Sequence, residues 1–167
     1  ERAHRYSDDS LWVRDPHTSL AWKNLWAQLQ TVEPWQILDD SISDLLKSGD
    51  LPRLNVRRID RNEAIKYLSE TEPARLDPAS FSSEERAEIL GVIQDKALWC
   101  KLPLHQFADG TFGDIDDGVY LPGDVELPTD LAGKVRLLIE ASDPALRQQQ
   151  RNWVPELSSV VIARIAL

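Results

Sequence analysis

Methionine is absent from this chain, and cysteine occurs once, at Cys100. A single thiol cannot form an internal disulfide, so a packed core must hold the fold, and the near-absence of cysteine fits a reducing cytoplasm. No apolar run reaches the ~18 residues of a membrane-spanning helix, and no signal-peptide pattern opens the chain. Histidine is scarce: His4 and His17 sit in a polar stretch far from His105, so zinc-type ligand spacing is missing. Positive charge is in deficit, with 19 Lys and Arg against 28 Asp and Glu, a net charge of −9. That balance opposes docking on a phosphate backbone and argues against a nucleic-acid partner. The best basic stretch, "RLNVRRIDR", places Arg57 and Arg58 on opposite faces of an extended segment, so they read as solvated arginines. A chain that starts at Glu1 and lacks methionine reads as a piece of a longer protein.

What is present supports a real core. The chain has 167 residues, 42% of them hydrophobic, and six are tryptophans. This length suits one compact domain and buries roughly two-thirds of the unfolded surface without a disulfide or metal staple. Residues 1–16 are polar and aperiodic and read as an arm; residues 17–167 read as a single α+β domain, mostly helical.

Apolar spacing predicts a first helix from Thr18, through Leu20, Leu25, Trp26 and Leu29. A second is predicted from Pro34 to a stop at Gly49, burying Trp35, Leu38, Ile42, Leu45 and Leu46. Leu54, Val56 and Ile59 suggest a short strand, and a helix follows over 60–69. "SETEPARLDPAS" is a proline-broken linker. The clearest helix starts at Ser82 or Ser83 and continues to about Leu98, with Ile89, Leu90, Val92 and Ile93 on its buried side. Two further helices are predicted, one capped by Thr129 and burying Leu131, Val135, Leu138 and Ile139, the other capped by Asp143 with Pro144 behind it. The β-branched run in "SSVVIARIAL" fits either a helix or a strand.

The stretch "CKLPLHQFADGTFGDIDDGVYLPGD", 100–124, carries most of the chemical interest. Asp-Gly turns between apolar runs signal hairpins, so an antiparallel β-meander is predicted near 102–122, with acidic turns. A calcium loop counted from Asp114 fails, since Gly118 comes one place early and Val125 stands where a glutamate is needed. "DGTFGD" leads into a strand and no lysine follows, unlike a phosphate loop. Cys100 and His105 lack a recognised nucleophile–base spacing. No cofactor motif is complete, and no catalytic, cofactor-binding or metal residue is assigned. The alternative, a stand-alone hydrolase-type enzyme, would place its site near His105 and the cluster Asp114, Asp116 and Asp117. The tryptophans suggest another use. Trp12, Trp22, Trp26 and Trp35 crowd the first 35 residues; core packing or an interdomain seam is the favoured reading, and exposed aromatics there would be candidate residues for binding protein partners or client chains.

A family resemblance is carried by Ser83, Glu84, Glu85 and Arg86 at a helix start, Leu102, Pro103, Leu104 and Phe107 in a strand, the Asp109-Gly110 turn, and Val119, Tyr120 and Leu121. In these residues, over about 80–125, the chain resembles the repeat regions of sacsin and of large sacsin-like proteins in bacteria. The resemblance implies a very large, multi-module, chaperone-like protein whose repeats accompany a GHKL-type ATPase module elsewhere. That ATPase fold holds nucleotide through Asp-x-Gly-x-Gly. "DGTFG" departs from that pattern and no upstream Glu-x-x-x-Asn helix accompanies it, so no nucleotide-binding residue is carried over. The function implied is a non-catalytic interaction or scaffold segment.

Overall fold

A computed structural model describes residues 11–14, 18–30, 36–47, 49–70 and 75–166. They form a mixed α+β protein. Composition points to one domain over 17–167; instead the chain divides into two compact units, Glu1–Thr71 and Glu72–Leu167. The division falls inside the proline-broken linker.

The first unit is built on a parallel three-stranded sheet. Its central strand, β1 (Leu11–Arg14), lies within the segment read as a polar arm; residues 1–10 and 15–16 of that arm are outside the described residues. β1 is flanked by β2 (Gln36–Ile37) and by β3 (Val56–Ile59), in register from Leu11 opposite Val56 to Arg14 opposite Ile59. Side chains on a strand alternate between faces, yet adjacent Trp12 and Val13 are both buried. A parallel sheet is covered on both faces, and the central strand β1 conforms, while Arg57 and Arg58 on the edge strand β3 stay exposed. Val13 packs with Leu51 and Val56, and Leu11, Leu38 and Leu46 lean on that cluster.

Helix α1 (Leu20–Gln30) links β1 to β2, and its face of Ala21, Trp22, Leu25, Trp26 and Leu29 is buried. It packs against α3 (Arg61–Glu70), which buries Ala64, Tyr67 and Leu68 at the i, i+3, i+4 spacing of one helical face. The long helix predicted from Pro34 is not formed. β2 and one helical turn, α2 (Asp40–Ser43), occupy its described part. The reason is tertiary: the Leu38 amide donates to the Trp12 carbonyl at 2.8 Å, which extends the sheet pairing. Asp39 then starts a new turn by accepting from the Ser41 amide at 2.9 Å.

The second unit opens with a 3-10 turn at Pro78–Ser80 and helix α4 (Ser83–Val92). Ser82 is the N-cap in a reciprocal capping box: its Oγ accepts from the Glu85 amide at 3.2 Å, and Glu85 accepts from the Ser82 amide at 2.7 Å. The predicted single helix stops early. Ile93 is extended, and Asp95 caps a separate α5 (Lys96–Lys101) by accepting from Ala97 and Leu98 amides. Pro103 disfavours helix at Leu102, where α5 ends.

The expected hairpin is present as antiparallel β4 (His105–Gln106) and β5 (Phe112–Gly113). The third strand of the predicted meander goes elsewhere: β6 (Val119–Tyr120) pairs in parallel with β7 (Arg136–Leu137). Antiparallel Phe107–Leu138 and parallel Leu121–Glu156 bridges join these pieces. β7 lies where a helix capped by Thr129 is predicted. Only a 3-10 turn forms at Thr129–Leu131, without a side-chain cap, because paired strands on both sides claim the backbone of 136–139. Arg136 and Leu138 amides donate to Gly118 and Tyr120 at 2.9 Å each; the Ile139 amide donates to Gln106, also at 2.9 Å. The described chain closes with α6 (Pro144–Trp153), capped by Asp143, and α7 (Ser159–Ile165), which settles the β-branched run as helix.

Candidate functional site

Most of the acidic knot of the 100–124 stretch proves to be turn chemistry. Gly110 has φ of 84°, the left-handed conformation a glycine tolerates best. Beside it Asp109 Oδ1 accepts from the Thr111 amide at 2.9 Å and hydroxyl at 2.6 Å. Those hydrogen bonds, from the hydroxyl first, hold the Asp109 carboxyl below its ordinary range. Asp116 accepts from the Gly118 amide at 2.9 Å and pairs with Arg136 at 2.8 Å. Asp114, Asp116 and Asp117 are all exposed. Among the described residues no group of His, Cys, Asp and Glu is arranged to hold a metal ion.

Two arginines brace this hairpin. The Arg86 guanidinium donates to the carbonyls of Pro78 and Phe81 and to Gln106 Oε1, and it lies 4.5 Å over the Phe112 ring. Arg136 lies 4.3 Å over Phe107 while donating to the Asp114 carbonyl at 3.3 Å. Gly113 leaves the space for this stack: a Cβ there would stand 3.1 Å from both the Arg136 guanidinium and the Phe107 ring.

His105 does not join the aspartates in a pocket. It is 1% exposed, and its Nε2 lies 2.8 Å from the Trp99 carbonyl. A carbonyl only accepts, so Nε2 carries the hydrogen and Nδ1 is a bare lone pair. Nδ1 has no hydrogen-bond partner among the described residues. The imidazole meets the Trp99 ring edge-on at 4.2 Å, and Trp99 meets Trp153 at 5.2 Å. Burial pushes the His105 pKa down to about 4, against the upward pull of the Trp99 carbonyl and of Asp114. This is a core histidine. Cys100 is half-buried, and burial raises its thiol pKa.

The described tryptophans of the first unit go to core packing, not to an exposed partner-binding surface. Trp12, Trp22 and Trp26 are each 3% exposed: Trp12 lies on the central strand β1, and the four-residue spacing of Trp22 and Trp26 places both on the packed face of α1. Trp35 lies outside the described residues. Arg57 and Arg58 are exposed, with Arg57 lying 5.7 Å over Trp12. Asp60 follows β3, where β1 and β3 end side by side. It serves as an α3 cap, accepting from the amides of Asn62 at 2.8 Å and Glu63 at 3.0 Å.

Two surface features of the second unit stand out. One is an open groove of about 490 Å³ with Leu121 and Val154 at its floor and Asp124, Glu140, Arg151 and Glu156 around it. Arg151 is held there by Glu140, its Nε and Nη2 both donating to Oε1 at 3.0 and 2.9 Å. The other is α7, "SVVIARI", none of whose residues is buried. Val160 is 68% exposed. Composition flagged α7 as apolar but not as uncovered, since burial depends on what packs over it.

Comparison of the chain with protein-family models, with curated proteins and with solved structures finds no match. Among the described residues no helix is long and apolar enough to cross a membrane.

Proposed function

We propose that this chain is a non-catalytic protein-interaction or scaffold segment of a large, sacsin-like, chaperone-related protein of the cytoplasm, engaging protein partners or client chains rather than nucleic acid. The observation that carries this reading is α7, an apolar helix with no buried residue: Val160 is exposed, and Val161, Ile162 and Ile165 are only half-buried. Apolar surface left in water is costly, and contiguous patches of it mark interaction sites. Leu45, 80% exposed on the first unit, and Ile139 on the second add to the uncovered apolar area. The residues that carry the resemblance support it in a second way. Glu85 and Arg86 build the capping box and the hairpin brace, and Asp109 and Gly110 make the turn, so they act as the frame of a module.

Aggregation suppression tests the proposal. The chain, without nucleotide, is added to a heat-destabilised client and compared with an inert acidic protein at equal mass. Protection at near-stoichiometric ratio, reduced by Val160→Asp, is the expected result. Absence of protection, or protection indifferent to Val160, overturns client binding through this surface.

A further inference from the structure

We propose that His105 is an acid-operated latch: a proton taken at Nδ1 releases β4 from α5 and opens the small sheet of the second unit.

The geometry supports each step. Nε2–H is already committed to the Trp99 carbonyl at 2.8 Å, so the incoming proton can bind only at Nδ1. It comes from solvent and leaves a cationic ring with a second N–H. That N–H finds no acceptor among the described residues, and the ring is 1% exposed against Trp99. A buried, unpaired charge is unfavourable enough that the protein opens instead of carrying it.

The charges around the ring do not offset this. On the β5 side the exposed Asp114 favours the cation, but burial outweighs it. β4 itself carries Gln106, whose Oε1 takes an Arg86 N–H at 3.4 Å. α5 brings Lys96, Cys100 and Lys101, none of which can stabilise a cation as a neutral thiol or an ammonium. On α6, Arg147 donates to the Ala141 and Ser142 carbonyls and Arg151 to Glu140.

The latch sits where its release spreads. Phe107 and Ala108, the next residues along from β4, donate their amides to Thr111 and Leu137, and Gln106 accepts from Ile139. Moving His105 out of the core therefore pulls on β5 and β7 together and uncovers Trp99 and Trp153. The titrating window lies between the ordinary histidine value and the depressed one. Across it the open form binds the proton and the closed form does not, so closure weakens as pH falls, by about thirtyfold at pH 5 relative to neutrality.

Amide hydrogen exchange on the whole chain tests this, read at Phe107, Ala108 and Ile139 between pH 7.5 and 4.5 and corrected for intrinsic rates. Protection at these amides falls by about thirtyfold by pH 5 in the native chain and stays level in His105→Gln, whose amide can donate to the Trp99 carbonyl without titrating. Asp114→Asn, which removes a group favouring the cation in the closed form, leaves the onset of the loss unchanged and deepens it at the acid end, a change that a purely structural role for His105 would not produce. An equal loss in native chain and His105→Gln overturns the proposal. Should His105→Gln fail to fold, the native imidazole resonance decides: titration near pH 6 or above with these amides still protected overturns the latch, and titration in step with their loss sustains it.

Discussion

Gly123 lies directly against the Leu157 carbonyl: a Cβ built on Gly123 would stand 1.9 Å from that oxygen. The approach exists because the Leu121 amide donates to Pro155 at 2.8 Å and the Leu157 amide donates back to Leu121 at 2.9 Å, drawing the segment after α6 onto β6. A bare Cα at Gly123 allows this pairing to close. Gly123→Ala must part the two segments, at a cost of about 3 kcal/mol, the upper end for overpacking. Chemical denaturation of the full chain should show the loss, with Leu121 and Leu157 amides losing protection first. Unchanged protection there would show that the pairing is looser than described.

Arg86 makes a different kind of contribution. Its contacts run to two backbone carbonyls, a glutamine and an aromatic ring at once. Arg86→Ala should lower stability by about 2 kcal/mol, combining lost charged hydrogen bonds and the ring contact. Arg86→Lys should recover less than half of this, since an ammonium cannot span the same fork of acceptors. The ranking native, Lys, Ala in urea midpoint checks the role; full rescue by lysine would reduce it to charge alone.

The capping box gives a smaller, local prediction. Ser82→Ala should cost about 1 kcal/mol and act on α4 ahead of α6. Residue-resolved exchange at Glu85 and Arg86 amides, compared with Leu146 and Arg147, separates local fraying from global loss. Equal losses in both helices would indicate that the two open as one.

Tryptophan and valine substitutions should separate packing from binding. Trp22→Ala removes a buried side chain and should cost about 3–5 kcal/mol. Val160→Asp, at an exposed position, should stay within about 0.5 kcal/mol of native stability while changing client protection. The two variants measured side by side in thermal unfolding and aggregation suppression check the assignment; a stability loss from Val160→Asp would mean that α7 is covered.

Elements with strong local chemistry were legible in the residues. The Ser82–Glu85 box, Asp143 before Pro144 and the Asp109–Gly110 turn each act within a few residues, so their outcome follows from spacing and from glycine's access to positive φ. The helical faces of α1 and α3 were legible for the same reason, through side chains three and four apart. The burial of Trp22 and Trp26 followed from that same spacing, and it takes both away from a partner-binding surface.

What the tertiary structure decided are the elements too short to exist alone. β2, β6 and β7 are two residues long, and their strand character comes from partners far along the chain. Local propensity favoured helix over 34–47 and 129–141, and distant carbonyls and amides outcompeted it. The same holds for His105. Its residue type and its place in an apolar run were evident in the sequence. That one nitrogen is tied to Trp99 and the other has no partner among the described residues depends on how α5 and β4 pack, because a lone pair's surroundings are set by the fold and not by its neighbours in the chain.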